Sequence, residues 1–255
     1  MRCRYLAIVI LSFVFRVPAV GQSAAAETHL GRADQLYLSG DYSGAREEYL
    51  KIINSGYESA ALYYNAGNSC YKLGQIPSAI LFYERALLIS PRDEDIRFNL
   101  NLANQLVIDK INPVSEFFVK RWIKSLASSA SINAWAILSL IVFIVLAGVL
   151  VILYATHGFK YRQALITAGT LMILIWITSL IFTVMQDQRI NHGNYAIVFA
   201  PSITAKSSPD NGGTDLFVLH EGLKIKIADQ VGTWIRIRLA DGNEAWIPSS
   251  TVEKI

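Results

Sequence analysis

The sequence predicts a multidomain membrane protein with an α-helical domain, a transmembrane hairpin of two helices and a C-terminal all-β barrel, in that order. Three observations indicate this fold class. Hydrophobic residues make up 53% of the 255 residues and charged residues only 17%, against about 25% charged in an ordinary soluble domain. The apolar excess is concentrated in three blocks, and the periodicity changes from helical to strand-like along the chain. This composition excludes a disordered chain and a disulfide-rich scaffold.

The first apolar block predicts a secretory signal peptide over residues 1–21. Two arginines precede an apolar run at 5–15, which is too short to span about 30 Å of hydrocarbon. Small residues at 19–21 then supply a cleavage site. An uncleaved anchor is the competing interpretation. Because Cys3 lies in this segment, a cleaved chain would keep Cys70 alone and form no intrachain disulfide.

Two further blocks predict transmembrane helices at 132–155 and 164–186. Neither block contains a charged residue, and about 20 apolar residues suffice to cross a bilayer as a helix. The alternative is a pair of helices buried inside a soluble protein. The short connection at 156–163 makes the two helices a tight hairpin, so both flanking regions are expected on the same side of the membrane.

The linker at 111–131 is predicted to contain a helix that lies in the membrane interface. It mixes aromatic and basic residues, a composition that favours the lipid headgroup layer. The residues concerned are Phe117, Phe118, Lys120, Arg121, Trp122 and Lys124. An ordinary linker with some aromatic residues is the alternative.

Two sequence features disagree about the side of the membrane. The flanks of the hairpin carry more basic residues than the loop at 156–163, which would place the flanks in the cytoplasm. The leader predicts the opposite, because it would export the domain that follows it. We give the leader more weight, since a translocated domain is committed before the hairpin emerges. The expected location is a bacterial inner membrane with periplasmic soluble domains.

The region at 27–110 contains a helical repeat with a period of 34 residues. Three pairs of matching residues show it: Gly40 and Gly74, Ala45 and Ala79, and Tyr49 and Tyr83. This pattern resembles the tetratricopeptide repeat, in which two antiparallel helices form each unit. Small residues at Gly67, Ala79 and Ala86 would let the two helices approach closely. A segment at 95–109 is expected to cap the stack as one further helix.

The resemblance places five residues on the concave face with which such repeats bind proteins. They are Asp34, Tyr64, Asn68, Tyr71 and Lys72. The alternative is that these side chains are ordinary solvated surface. Some related repeats bind a peptide carboxylate through asparagines and a lysine, but Tyr64 stands in the place of that lysine, so we do not predict this ligand.

The region at 193–255 is predicted to form a small barrel of five short strands. Residues 234–239 alternate apolar and basic side chains, and Asp241 and Gly242 form a hairpin turn. Together with Trp246, this pattern resembles bacterial SH3 domains. The resemblance implies a ligand groove at Trp234 and Pro248. Trp246 is expected to belong to the core, and a ligand contact is the alternative. Thr251 stands where relatives that bind proline-rich peptides have a groove tyrosine, so that ligand is not implied.

Catalytic and metal-binding patterns are absent from the sequence. The four histidines are scattered over separate segments, without the spacing of metal ligands. Cys70 has no neighbouring histidine and is expected to be a packing residue. The net charge of +3 is too small to indicate nucleic acid binding. We therefore expect no enzymatic activity, no cofactor, no metal and no nucleic acid partner.

The order of leader, tetratricopeptide repeats, membrane hairpin and SH3-like domain resembles the BatE family of Bacteroides aerotolerance proteins. The resemblance covers nearly the whole chain and implies a membrane-anchored scaffold in an envelope complex of the stress or aerotolerance type. Implied partners are von Willebrand factor A-domain membrane proteins, encoded beside relatives together with a MoxR-type ATPase. Two alternatives remain: an accessory protein that targets peptidoglycan through the SH3-like domain, and an envelope-stress sensor. The sensor is favoured least, because the loop at 156–163 offers little surface to a cytoplasmic partner.

Overall fold

The computed structural model describes residues 20–112, 117–155, 158–191 and 194–255. Most of the predicted signal peptide therefore lies outside the described residues, as do His157 and His192. Val20 and Gly21, at the predicted cleavage site, begin the first described helix.

The chain divides into two compact units, Met1–Glu58 and Ser59–Ile255. The described part of the first unit consists of α1 (Val20–Leu38) and α2 (Tyr42–Asn54). The helices of the second unit are α3 (Ala60–Lys72), α4 (Ile76–Ile89), α5 (Glu94–Gln105), α6 (Phe118–Ala127), α7 (Ile132–Ala155) and α8 (Phe159–Asn191). Its strands are β1 (Tyr195–Val198), β2 (Ser202–Lys206), β3 (Asp215–His220), β4 (Lys224–Val231), β5 (Trp234–Arg238), β6 (Glu244–Pro248) and β7 (Val252–Lys254).

The helical pair α1–α2 forms because its sequence supplies both a turn and a small-residue seam. Gly40 takes a φ of +87° in the turn, a conformation that glycine adopts without steric penalty. Asp41 then caps α2 by accepting a hydrogen bond from the backbone of Gly44 at 2.9 Å. Ala33 and Ala45 are fully buried, with Tyr49 beside them in the core of the pair.

The pair α3–α4 repeats this design, with a closer approach between its helices. Ser59 caps α3, and Gly74 forms the turn with a φ of +72°. The closest approach is at Gly67, where an added Cβ would come within 2.7 Å of the Tyr83 ring. Helix α5 packs on α4 through the buried side chains of Ile96 and Leu100. The close approach at Gly67 agrees with its predicted role between the two helices. The further helix expected at 95–109 corresponds to α5.

The helices α7 and α8 form an antiparallel hairpin whose outer surface is apolar. Both are long and apolar enough to cross a membrane. Aromatic contacts join them at two levels, with ring centroids of Trp135 and Phe182 5.0 Å apart and those of Phe143 and Trp176 5.8 Å apart. Of the 24 residues in α7, Ser139 is the one buried residue. The two apolar helices are thus confirmed, and their insertion in a membrane stays a prediction.

The strands form one antiparallel sheet in the order β3-β2-β6-β5-β4-β1-β7. Among the described strands, β3 and β7 lie at opposite edges and do not pair with each other, so the predicted barrel is not closed. The sequence predicted five strands, and the structure adds β2 and β7. Both escaped prediction because β2 has only Ile203 and Ala205 as apolar residues and β7 is three residues long.

One face of the sheet forms an aliphatic core. Alternate residues of the central strands contribute to it, including Ile225, Ile235, Ile237 and Ile247. Trp246 lies between the buried Ala245 and Ile247 and therefore points to the opposite face. The expectation that Trp246 belongs to the core is wrong, because the register of β6 assigns the core positions to its neighbours.

Helix α4 and the segment after α5 pack against the sheet inside the second unit. Gly222 has a φ of +84°, and a Cβ there would meet the Cγ2 of Val107 at 2.8 Å and the Cδ1 of Ile80 at 3.4 Å. Lys224 donates a hydrogen bond to Glu84 at 2.6 Å. A bidentate contact joins Asp109 to His220, with 2.7 Å to the backbone nitrogen and 2.9 Å to the ring Nδ1. This set of contacts, here called the docking interface, fixes the sheet to the second helical pair.

Candidate protein-binding sites

The predicted concave-face residue of the first helical pair takes part in a bond between its two helices. Asp34 is half-buried on α1, and its Oδ1 accepts a hydrogen bond from the Tyr49 hydroxyl on α2 at 2.6 Å. A charged acceptor makes this bond stronger than one between neutral groups. Asp34 therefore has a structural role in the pair, in addition to any contact with a ligand.

The matching position of the second pair is Asn68, which lies at the centre of a polar network. Its Oδ1 accepts hydrogen bonds from the Tyr83 hydroxyl at 2.8 Å and from the Asn99 side chain at 2.8 Å. The same Asn99 nitrogen lies 3.0 Å from the hydroxyl of Tyr64. The network brings together two predicted residues, Tyr64 and Asn68, and links α3, α4 and α5. Asn99, which lies on α5, was not among the predicted site residues.

Tyr71 and Lys72 lie in the last turn of α3, one turn beyond Asn68. Tyr71 is half-buried and Lys72 is exposed. A cation at the carboxyl end of a helix is stabilised by the helix dipole. The exposed ammonium group and the half-buried phenol ring make this end of α3 available to a ligand with acidic and apolar groups.

A buried carboxylate is the main electrostatic feature of the first unit. The side chain of Glu48 is 5% exposed and lies between a lysine, an arginine and a histidine. Lys51 approaches it at 2.8 Å, the Nδ1 of His29 at 2.6 Å and Arg32 at 3.8 Å. Hydrogen bonds from Lys51 and His29 lower the pKa of Glu48 from 4.5 to about 2, with a smaller contribution from the charge of Arg32. This cluster was not predicted.

The outer face of β5 and β6 contains the predicted groove residues. Trp234 and Pro248 are direct cross-strand partners, and both are half-buried. Arg236 faces Trp246 at the next outward position of the ladder. These four side chains form one surface, here called the β5–β6 face. It combines two aromatic rings with a guanidinium group.

Charge on the β5–β6 face is partly balanced within the sheet. Arg236 contacts Glu244 at 3.2 Å and Asp229 at 3.4 Å. The hydrogen bond from Arg238 lowers the pKa of the Glu244 carboxyl, against a smaller opposing effect of desolvation. The face therefore presents aromatic surface beside paired charges, which suits a polar ligand with a flat or apolar side.

A second cluster, absent from the predicted sites, lies between α6 and the start of α5. Four cationic residues line one cavity there together with Glu94 and two serines: Arg92, Arg97, Arg121 and Lys124. Arg121 and Lys124 belong to the predicted interfacial helix. Arg92 and Arg97 were missed because their approach to α6 depends on tertiary packing between residues that are far apart in the sequence.

The described residues contain no group of three or more histidine, cysteine or acidic side chains able to hold a metal ion. Cys70 is buried in α3, in agreement with its expected role in packing.

Comparison with known proteins identifies one element of the chain. The family model of the tetratricopeptide repeat matches residues 60–93, which comprise α3, α4 and the turn that leads to α5. No curated protein matches the chain. The helical repeat is thus established for the second pair, and repeats of this kind generally mediate contacts between proteins.

Proposed function

We propose that this protein is a membrane-anchored, non-enzymatic adaptor that holds a partner protein on its helical repeat. The single observation that carries the proposal is a tetratricopeptide repeat at residues 60–93 in one compact unit with two long apolar helices. A repeat of this kind supplies a binding surface. The apolar helices supply the means of attaching it to a membrane.

Exposure of the apolar helices supports the membrane anchor. The outer side chains of α7 include Ile137, Leu140 and Val151, which are 58%, 54% and 68% exposed. A soluble monomer rarely exposes a contiguous apolar surface as large as a whole helix. Lipid tails would cover this apolar surface. The backbone groups need no further partner in lipid, because each helix forms its own backbone hydrogen bonds.

The domain order supports a more specific context. It resembles the BatE family, which implies an envelope complex of the aerotolerance type with von Willebrand factor A-domain membrane proteins as partners. The proposed location is accordingly a bacterial inner membrane, with the helical repeat and the sheet in the periplasm. In this proposal the sheet is an SH3-like module.

The β5–β6 face supports one alternative function, attachment to the cell wall. Trp234 and Trp246 present aromatic surface beside Arg236 on strands that are fixed in register. Peptidoglycan has sugar rings that stack on aromatic side chains and carboxylates that pair with guanidinium groups. The alternative therefore assigns Trp234 and Pro248 to ligand binding, as the SH3 resemblance implies.

Affinity capture from native membranes tests the adaptor function. We expect the full chain in detergent to retain specific proteins, and the variant Tyr71→Ala/Lys72→Glu to lose most of them. Lys226→Glu is the matched control, because Lys226 is exposed on β4 and its change alters the net charge by the same amount as Lys72→Glu. Equal protein recovery by all three chains would refute binding at the end of α3.

Sedimentation with purified peptidoglycan tests the cell-wall alternative. The full chain in detergent is the sample to use, because the docking interface joins the sheet to α4. Binding that is lost in Trp234→Ala would support the alternative. A chain that stays in the supernatant would exclude it.

Cysteine labelling tests the proposed orientation. Ser202 is exposed at the start of β2, so Ser202→Cys, in a chain with Cys3→Ser, offers an accessible thiol while Cys70 is buried. We expect a membrane-impermeant maleimide to label this cysteine in cells whose outer membrane has been permeabilised. Labelling that requires disruption of the inner membrane would place the sheet in the cytoplasm.

A further inference from the structure

Helix α6 separates its apolar and basic side chains onto opposite sides. Phe118, Trp122 and Leu126 recur at intervals of four residues, which places them on one side of a helix. They are 71%, 65% and 38% exposed. Lys124 lies on the other side, and Arg121 lies at the edge between the two sides, beside Phe118 and Trp122. Helices with this division of aromatic and basic residues lie in the plane of a membrane interface.

The carboxyl end of α6 is attached to one end of the apolar hairpin. This is the end at which α7 begins and the apolar stretch of α8 finishes. The indole nitrogen of Trp135, in the first turns of α7, donates to the Ala127 carbonyl at 2.9 Å. Gln186, near the end of the apolar stretch of α8, donates to the carbonyls of Ala127 and Ala130 at 2.6 Å each. Its side chain is buried, although glutamine is usually exposed. These bonds hold α6 at the boundary of the apolar surface.

The basic side of α6 lines the cavity that it shares with the start of α5. Arg121 and Lys124 come from α6, whereas Arg92 precedes α5 and Arg97 belongs to it. Among the described residues that line the cavity, four are cationic and one, Glu94, carries a carboxylate. Ser125 and Ser128 add hydroxyl groups that can donate hydrogen bonds. Arginine side chains in such a cluster match the geometry of a phosphate group.

We infer that this cavity binds the phosphate of an anionic phospholipid, drawn from the leaflet in which α6 lies. The inference rests on the proposed membrane anchoring of α7 and α8. The basic residues neutralise the headgroup while Phe118 and Trp122 enter the acyl-chain region beside it. A lipid is favoured over a protein partner because the cavity lies where the apolar surface of the hairpin begins. The bound lipid would fix the helical repeat at a defined height above the bilayer.

Native mass spectrometry of the full chain tests this site. The detergent-solubilised protein is offered equal amounts of phosphatidylglycerol and phosphatidylcholine, and the ratio of the two bound lipids is measured. We expect the wild type to prefer phosphatidylglycerol. Arg92→Gln/Lys124→Gln should lower the ratio roughly tenfold, since two cations near the headgroup are removed. Arg97 is left intact, because it also donates a hydrogen bond to the Pro91 carbonyl at 2.5 Å.

The matched control is Lys226→Gln/Lys254→Gln, which removes two exposed cations from the sheet. Its ratio should equal that of the wild type. An unchanged ratio in the cavity variant, or an equal fall in the control, would overturn the site. Displacement of phosphatidylglycerol by sn-glycerol 3-phosphate at similar concentration would also overturn it, because a free phosphate would then suffice.

Extraction of cell membranes with alkaline carbonate separates this inference from the proposed anchor. The wild type and the cavity variant should both stay in the pellet, because α7 and α8 are unchanged. Release of the wild type would refute the anchor, and with it the premise of the lipid site. Retention of both chains with an unchanged lipid ratio would refute the site alone.

Discussion

The two helical pairs share a sequence period of 34 residues but differ in what their second helices pack against. Each pair is joined by a bond from a tyrosine on its second helix, from Tyr49 to Asp34 and from Tyr83 to Asn68. The residues three to one positions before the tyrosine are Arg46, Glu47 and Glu48 in α2, and Ile80, Leu81 and Phe82 in α4. The polar triplet includes the buried carboxylate of the first unit, and the apolar triplet is fully or largely buried.

This difference shows how few positions define the repeat. The glycine turn, the small-residue seam and the interhelical tyrosine are common to both pairs, and they fix the separation of the helices and their connection. The remaining positions of the second helix differ between the pairs, because they contact different neighbouring elements. In α4 these are α5 and the sheet, whereas α2 holds an ion cluster with α1.

The largest expected effect concerns the seam of the second pair. Gly67→Ala should destabilise α3–α4 by about 2–3 kcal/mol, because its Cβ would come within 2.7 Å of two atoms of the Tyr83 ring. The first pair already has Ala33 at the matching position. Hydrogen exchange of the detergent-solubilised chain should show faster exchange at 60–89 with little change at 28–54.

Gly31→Ala is the control for this substitution. Gly31 lies in α1 with nothing within 4 Å of an added Cβ. Alanine is the better helix former, so stability should rise by about 0.5–1 kcal/mol. A loss of stability at Gly31, or none at Gly67, would contradict the account of the seam.

The next effect concerns the docking interface that distinguishes α4 from α2. Gly222→Ala should weaken it by about 2 kcal/mol, because the Cβ would meet Val107 at 2.8 Å and the φ of +84° disfavours alanine. The readout is a carbodiimide cross-link between Glu84 and Lys224, whose side chains are 2.6 Å apart. We expect a severalfold lower yield in the variant.

Gly232→Ala separates the two causes. Gly232 has a φ of +58°, and an added Cβ there has nothing within 4 Å. The backbone penalty is therefore present without the contact to Val107, and the cross-link yield should stay near that of the wild type. Equal yields for Gly222→Ala and Gly232→Ala would mean that Val107 does not limit docking.

The smallest expected effect concerns the ion cluster of the first unit. Glu48→Gln should cost about 1–2 kcal/mol at pH 7, after discounting for the exposed side chains of Lys51 and His29. Because the pKa of Glu48 is lowered from 4.5 to about 2, this stability is fully present above pH 4.5. It is lost as the pH falls from about 4.5 to about 2, where the wild type and the variant should converge.

Hydrogen exchange at 28–54 measures this pH dependence directly. The ratio of protection between wild type and Glu48→Gln should shrink as the pH falls through this window. A constant ratio between pH 7 and pH 2.5 would show that the charge of Glu48 does not stabilise the pair.

Local sequence patterns predicted the helical repeat, the two apolar helices and the strands with strong alternation, because each depends on neighbouring residues. The hydrogen bonds from Tyr49 to Asp34 and from Tyr83 to Asn68 are also local. Each joins two residues that are 15 positions apart and belong to the same helical pair. The docking interface could not be predicted, since Asp109 and His220 are separated by 111 positions. Nor could the cavity, which needs α5 and α6 to be brought together in space. The open sheet differs from the predicted barrel. Closure would require β3 to pair with β7 at the two edges, and local sequence patterns do not determine that pairing.

The central claim, that the helical repeat holds a protein partner, is tested most directly by site-specific photo-crosslinking in intact cells. A photoreactive phenylalanine replaces Lys72 at the end of α3 or, as the control, Lys226 on β4, both of which are exposed. We expect a discrete cross-linked protein from position 72 that position 226 does not give. No adduct at position 72, or the same adducts at both positions, would contradict it.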